Sequence, residues 1–487
     1  MKPLSILSDY ISLRYIINWV VPRIVTVIRP FVDNITVFLN LYILMEGRKM
    51  KKIYFKNLNE YFEQEITIEG FVDNIRDLQY VQFLVIRDAT GKVQITIEKN
   101  ESNYRLNEIV SNLMVESTVK ITGKLLQNEK VKLNGMELIP DDIIVTSRCL
   151  EELPLNYKDS KKSALLDTRL NYRFLDLRNE KNLLMFKVQT CLINAMREFV
   201  VKNNFIEIHT PKIISTASET GSEVFEVKYF DRKAYLAQSP QFYKQMAMCS
   251  GFEKVFEIAP AFRAENSNSY RHTTDFTSFD IEMSYIDSLE ELMDFEENLF
   301  IAGLSEVKEN YGDQIKELFN VEVVIPTKPF PRIKLEELYK ELEKEYGFKM
   351  NYEDVGDMNA ESEKLASKYV MEKYGHEFVF ITDFSAKKRA FYHKRENGIP
   401  QGADLIWKGC ETTTLALREH QYEILCEQAK EKGLSEDVKF YLEFFKYGCP
   451  PHGGFALGVD RITMLLLETG SLKETMFIFR GPSRINP

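Results

Sequence analysis

Residues 64–146 carry the pattern that most restricts what this chain can fold into: short runs in which apolar and polar residues alternate, separated by turn residues. Glu65-Ile66-Thr67-Ile68-Glu69-Gly70-Phe71-Val72 is followed by Val81-Gln82-Phe83-Leu84-Val85-Ile86-Arg87-Asp88 and, after a turn at Thr90-Gly91, by Lys92-Val93-Gln94-Ile95-Thr96-Ile97. A period of two sends successive side chains to opposite faces, which is strand geometry. A helical piece near Tyr104 to Asn112 precedes two more strands, Ser117 to Gly123 and Met136 to Val145. Five strands with one helix point to a small barrel of the OB type. Such barrels commonly hold single-stranded nucleic acid on aromatic platforms and cationic side chains. Composition alone favours a core Phe83 and a solvated Arg76.

At 487 residues the chain is too long for one core, so two or more domains are expected. A polar stretch from Glu151 to Lys162, containing Pro154, reads as a linker. The expected divisions are an N-terminal extension (1–50), the barrel (51–150), a linker (151–168) and a larger domain (169–487). In the last, Glu180 to Asn203 has helical periodicity, and Phe205-Ile206-Glu207-Ile208 reads as a strand ending at Pro211. Strand signals follow at Ala234 to Gln238, Lys254 to Pro260 and Thr277 to Tyr285, then helices at Leu289 to Lys308, Leu335 to Glu345 and Glu361 to Lys373. Strands then helices in one block imply an α+β domain, an antiparallel sheet flanked by helices.

The formal net charge of -10 argues against bulk coating of nucleic acid and leaves room for local basic patches. Six cysteines without a CxxC pair and six histidines without an HxxxH pair argue against a structural zinc site or a disulfide framework, and a reducing cytoplasm fits best. Residues 14–44 are apolar, but Arg23, Arg29 and Asp33 interrupt them and Pro22 and Pro30 break any helix, so no membrane span is expected. The ordered protein is expected to begin near Met45 or Met50; a membrane-surface anchor is the alternative.

Three segments carry chemistry. Phe262-Arg263-Ala264-Glu265 and Arg271-His272-Thr273-Thr274-Asp275-Phe276 flank a polar loop, and arginine forks in a strand-loop-strand hairpin suit phosphate oxygens. Without a Walker-type loop, a nucleotide would have to be held by such side chains; a salt-bridged surface hairpin is the plain alternative. Gly453-Gly454-Phe455-Ala456-Leu457-Gly458-Val459-Asp460-Arg461 reads as a Gly-rich turn entering the helix Ile462 to Leu467. An arginine there opposes the helix dipole and so looks placed for a partner, although packing alone would also explain the turn. Asp404, ahead of the buried strand Leu405-Ile406-Trp407, and Glu411 offer hard oxygens for Mg²⁺, or are simply two solvated acids.

Together these segments resemble class II aminoacyl-tRNA synthetases. Phe262 through Arg271-His272 to Asp280-Ile281-Glu282-Met283 resembles motif 2, Gly458-Val459-Asp460-Arg461 resembles motif 3, and the helix and strand ending at Pro211 resemble motif 1, which builds the family's dimer interface. Tyr172-Arg173-Phe174-Leu175-Asp176-Leu177-Arg178 is similar to the opening of the catalytic domain in the aspartyl, asparaginyl and lysyl subgroup, whose N-terminal OB barrel reads the anticodon. Gln238-Ser239-Pro240-Gln241-Phe242-Tyr243-Lys244-Gln245 resembles the amino-acid-binding strand and helix of the aspartyl members. The likeness runs from about residue 51 to the end.

The resemblance implies a homodimer that activates L-aspartate with ATP and loads it onto tRNA(Asp), with tRNA(Asn) left open as a second acceptor. Lys244 and Arg418 would clamp the side-chain carboxylate, Asp280 and Gln241 would hold the α-ammonium beside Gln238, and Ser218-Glu219 would lie on a closing loop. For ATP it implies Arg263 at the α-phosphate, Glu265 at the adenine amine, Arg271 and His272 at the outer phosphates, and Phe276 and Arg461 about the adenine. It implies Asp404 and Glu411 as Mg²⁺ ligands, with Arg263, Glu411 and Arg461 carrying the chemistry, and Arg76, Phe83 and Gln94 reading the anticodon. Two departures stand out. Thr414-Leu415-Ala416-Leu417-Arg418 replaces the aspartyl members' Ser/Thr-Gly-Ala-Gln-Arg, which predicts a bulkier, drier pocket wall, and Asp460 stands where Glu is usual. An asparaginyl enzyme and a tRNA-independent amide-forming paralogue are the alternatives within the family.

Overall fold

The structure is a computed structural model that describes residues 52–158, 164–216, 224–351 and 354–486. The N-terminal extension and the Ser218-Glu219 loop lie outside the described residues. The chain divides into two compact units between Leu153 and Pro154.

In the first unit, β1 (Glu65–Asp77), β2 (Val81–Arg87), β3 (Lys92–Glu98), β4 (Thr118–Gln127) and β5 (Met136–Ser147) close a barrel in the order β1-β2-β3-β5-β4, with helix α1 (Tyr104–Ser111) between β3 and β4. The alternation is realised directly: Ile66, Ile68, Val72, Leu84, Ile86, Val93, Ile95 and Ile97 fill the interior. β1 runs past Val72 because a bulge between Val72 and Asn74 lets residues 74–77 keep pairing with β2.

The second unit is built on an eight-stranded sheet. Its members are β6 (Ile206–Glu207), β10 (Lys254–Phe262), β11 (Asp275–Ser284), β12 (Arg332–Lys334), β13 (Phe378–Thr382), β16 (Gly402–Trp407), β17 (Cys410–Arg418) and β18 (His452–Gly458). They run in the order β12-β13-β16-β17-β18-β11-β10-β6. Only the outermost pairings, β12 with β13 and β10 with β6, are parallel. A three-stranded sheet of β7 (Ile213–Ile214), β8 (Glu226–Tyr229) and β9 (Arg232–Leu236) and a short hairpin of β14 (Arg395–Glu396) and β15 (Ile399–Pro400) complete the strands.

Helices α2 (Glu180–Lys202) and α4 (Leu289–Phe319) cover one face of the large sheet, while α3 (Gln241–Cys249) belongs to the other. Val188, Leu192, Met196 and Val200 of α2 and Leu299, Phe300, Leu304 and Val307 of α4 pack with Phe279, Ile281, Leu405, Leu415, Leu417, Phe455 and Leu457 in one core. Gly303 lets the helices touch, since a Cβ there would lie 2.8 Å from Leu192 Cδ1. α4 outruns the expected end at Lys308. Gly312 costs a helix only about 1 kcal/mol, and buried Ile315 keeps the apolar period going to Asn320, whose left-handed backbone ends the helix.

The Gly453-Gly454 segment is not a turn but the start of strand β18. Its glycines are required by close approach: a Cβ at Gly454 would lie 2.1 Å from the Ile281 carbonyl oxygen and 2.4 Å from Glu282 Oε2. The absent side chain makes the space in which Glu282 sits.

Candidate active site

The sheet face turned away from α2 and α4 carries a cavity of about 330 Å³. Strand alternation assigns the faces. On β11, Phe279 and Ile281 enter the core while Ser278 and Asp280 line the cavity; on β17, Leu415 and Leu417 enter the core while Thr414 and Arg418 line the cavity. Cross-strand register aligns Asp280, Ala456, Thr414 and Asp404 in one row over four strands.

The predicted bulkier pocket wall is therefore corrected. Both leucines are buried on the reverse face, and neither lines the cavity. Once Arg418 was assigned to the pocket, the period of two already sent residues 415 and 417 the other way. Leu417→Gln is expected to bury an amide in a hydrocarbon core and cost about 2–4 kcal/mol while leaving the KM for the amino acid unchanged. Thermal unfolding with steady-state kinetics checks this; a KM shift at unchanged stability would put residue 417 in the pocket wall.

One end of the cavity is a balanced set of buried charges. Lys244 Nζ, presented by α3, lies 3.2 Å from Asp280 Oδ1 and 3.2 Å from Glu282 Oε2. Arg418 donates from Nε to Glu282 Oε1 at 2.9 Å and from Nη2 to the Gly454 carbonyl at 3.0 Å. Ser278 donates to Asp280 Oδ2 at 2.6 Å. Burial alone would push the Glu282 carboxyl up, but Arg418 and then Lys244 hold it below its ordinary value. The two cations are thus not free forks awaiting a ligand; Glu282 pre-orients both. The sequence reading quoted Glu282 only as part of a motif. Its signal was available: Ser278, Asp280 and Glu282 are polar at a period of two, alternating with the apolar Phe279, Ile281 and Met283. Gln238 and Gln241 line the same end.

The opposite end gathers cationic and aromatic groups. The β10–β11 hairpin is closed by Arg263 N–H to the Thr274 carbonyl at 2.9 Å, which brings Arg263 over the Phe276 ring, 5.3 Å from its centroid. Glu265 lies 3.8 Å from Arg263 Nη1 and 3.8 Å from His272 Nε2. Burial lowers the His272 pKa, with Glu265 opposing. Arg271 is ion-paired with Glu363, which also accepts the Glu411 N–H at 2.8 Å. Arg461 donates to the Glu411 carbonyl at 2.8 Å. Phe276 and Arg461 flank Gly458, where a Cβ would lie 4.0 Å from Phe276 Cδ2 and 3.6 Å from Arg461 Cβ. Asp460, the departure in motif 3, accepts Thr277 N–H at 3.3 Å and the Gln189 amide at 3.3 Å, tying the helix Val459–Leu467 to β11 and α2.

Between the two ends, the Thr414 hydroxyl lies 2.9 Å from Asp404 Oδ1 and 3.2 Å from Glu411 Oε1. Arg389 holds Asp404 Oδ2 at 2.5 Å. Burial raises the Asp404 pKa to about 7, with Arg389 opposing and Glu411 adding. A pair of acids joined through a hydroxyl is an incomplete but hard donor set of the kind Mg²⁺ completes with phosphate oxygens and water.

On the barrel, Arg76 and Phe83 are direct cross-strand neighbours and Gln94 pairs with Val85 on the next strand. All three lie on the outer surface, not among the interior residues, so Phe83 is no core side chain.

Residues 166–479 match the family model for class II tRNA synthetases (D, K and N), and residues 66–146 match that for the OB-fold nucleic acid binding domain. The chain is 40% identical over 428 residues to the aspartate–tRNA(Asp) ligase of Pyrococcus abyssi, covering 87% of this chain and 96% of that protein. It is 38% identical over 427 residues to the aspartate–tRNA(Asp/Asn) ligase of Aeropyrum pernix, with 87% and 95% covered. Among solved structures, asparaginyl-tRNA synthetase from Pyrococcus horikoshii complexed with asparaginyl-adenylate superposes with a TM-score of 0.81 at 29% identity, over 90% of this chain and all of that one. A barrel with an outward aromatic, a sheet-borne cavity lined by buried charges and by cationic and aromatic side chains, and these matches place the chain in the class II aminoacyl-tRNA synthetase family, in the aspartate, lysine and asparagine group.

Proposed function

We propose that this enzyme activates L-aspartate with ATP and transfers it to tRNA(Asp). The observation that carries the reading is the buried set Lys244, Arg418, Asp280 and Glu282 at one end of a cavity whose other end offers Arg263, Phe276 and Arg461. A dicarboxylic amino acid meets cations with its side chain, and Asp280 with Gln241 meets its ammonium. An asparagine amide oxygen would offer Lys244 and Arg418 only an uncharged, weaker acceptor than a carboxylate. Gln238 is assigned to the pocket wall.

The α-carboxylate attacks the α-phosphorus, an O–P bond forms, and pyrophosphate departs with the electrons of the broken bridge. The nucleophile is already ionised, so no protein base is needed, and catalysis is alignment plus charge neutralisation by Arg263. Glu265 is assigned to the adenine amine, Arg271 and His272 to the outer phosphates. Asp404 and Glu411 would hold Mg²⁺, which supplies further neutralisation of phosphate charge when bound. The terminal ribose hydroxyl of the tRNA then attacks the anhydride carbonyl, the bond from that carbon to the phosphate oxygen breaks, and AMP leaves, the hydroxyl proton passing to its phosphate or to solvent. In this reading residues 51–150 serve the anticodon through Arg76, Phe83 and Gln94, residues 151–168 link, and residues 169–487 catalyse. The enzyme is cytoplasmic and a homodimer, for which the groove along α2 and α4, where Phe186, Phe199 and Tyr311 stand among Lys187, Glu198 and Glu306, is a suitable surface.

Charging of purified tRNA(Asp) and tRNA(Asn) with labelled aspartate tests the proposal. Charging of tRNA(Asp) supports it, charging of both extends the acceptor range, and charging of neither contradicts it. Phe83→Ala is expected to lower kcat/KM for tRNA by roughly 10- to 100-fold, the loss of one stacked base, with adenylate formation unchanged. Equal losses in both assays would contradict a recognition role for the barrel.

A further inference from the structure

Buried side chains behind the cavity form a hydrogen-bonded chain that ends on Gln241. His452, at the start of β18, has Nδ1 2.8 Å from the Pro450 carbonyl and Nε2 3.0 Å from Gln245 Nε2. Gln245 Oε1 lies 2.9 Å from Gln241 Nε2 and 3.1 Å from the Tyr441 hydroxyl. The rings of His452 and Phe445 stack with centroids 6.2 Å apart.

One group in this chain has no choice of role: a carbonyl oxygen accepts. Nδ1 of His452 therefore carries a hydrogen, donated to Pro450. The Cys449 sulfur, 3.6 Å from the same nitrogen, is a weak acceptor and does not change that assignment. Burial pushes the His452 pKa down to about 4, so the ring is neutral and Nε2 is a lone pair. Gln245 must turn its NH₂ to His452, which leaves its oxygen for Gln241 and Tyr441. Both of these donate. Gln241 thereby spends its NH₂ inside the protein, and its own carbonyl is the end left for the cavity it lines.

We propose that His452 is a positioning residue for the substrate amino acid: through Gln245 it fixes the Gln241 amide with oxygen toward the cavity, so that the site accepts a primary ammonium group. The inference rests on the reading that this cavity takes an amino acid. Reversal of Gln245 would reverse Gln241 in turn and set NH₂ against the ammonium, donor against donor.

His452→Phe keeps a ring against Phe445 and removes both nitrogens. The test measures KM for aspartate and ATP by pyrophosphate exchange, and Ki for succinate, the same dicarboxylate without the ammonium. We expect KM for aspartate to rise roughly 10- to 100-fold, the size of one lost charge-assisted hydrogen bond, with KM for ATP and Ki for succinate unchanged. Tyr441→Phe, which removes one of the two hydrogens fixing Gln245 Oε1, is expected to move aspartate alone in the same direction by less, and it carries the test if His452→Phe does not fold. Equal weakening of aspartate and succinate, or an unchanged KM for aspartate, overturns the assignment. A wild-type enzyme without aspartate-dependent exchange would overturn instead the functional reading beneath it.

Discussion

Lys244→Met is expected to lower aspartate-dependent pyrophosphate exchange by roughly 10³-fold, which corresponds to about 4 kcal/mol, within the range for truncating one partner of a buried charge pair. Lys244 Nζ is the cation shared by Asp280 and Glu282, and it is presented to the cavity by α3. Without it the substrate side chain loses a partner and meets two carboxylates compensated by Arg418 alone. The variant is also expected to lose about 3 kcal/mol of stability, because acids remain buried with less compensation. ATP affinity, measured by calorimetry, should change little, since Arg263, Phe276 and Arg461 lie at the other end. A Lys244→Met enzyme that activates aspartate normally would show that the cation does not face the substrate.

Glu282→Gln is expected to be nearly as damaging, although Glu282 is absent from the cavity lining. The carboxylate takes up Arg418 Nε and neutralises Lys244, so an amide frees both cations from their orientation. A fall of roughly 100-fold in kcat/KM for aspartate and a loss of about 3–5 kcal/mol in stability are expected. The pH dependence identifies the cause. Glu282 has a depressed folded-state pKa, so its ion pairs contribute fully above the ordinary carboxyl value of 4.5 and are lost as pH falls through the lower folded value. Thermal unfolding of wild type should therefore steepen toward low pH from about 4.5 downward, and the Glu282→Gln profile should be flatter there. Parallel profiles would mean that Glu282 is not the ionised partner.

Much of this architecture was legible in the order of residues, for identifiable reasons. The barrel announces itself because its core is made by one residue in two, so Ile66, Ile68, Leu84 and Ile86 write the period directly. The cavity residues were legible as chemistry, because arginines, acids and glycines out of place for packing stand in ordered motifs. What was hidden depends on distant partners. β18 read as a turn because Gly453 and Gly454 look like loop residues until Glu282 is seen above them. The pairing of Lys244 and Arg418 with Glu282, and the contact of His452 with Gln245, join positions far apart in sequence that share no periodicity. Leu415 and Leu417 stand out in the sequence for their size, yet the period of two along the strand puts both on the core face. Arg271 was read for its charge, and only the fold reveals Glu363 beside it.

The central claim is that buried cations held by Glu282 select a carboxylate side chain. Pyrophosphate exchange with a single amino acid supplied at a time tests it most directly. Aspartate should support exchange and asparagine should support essentially none under the same conditions; exchange with asparagine but not with aspartate would contradict the account.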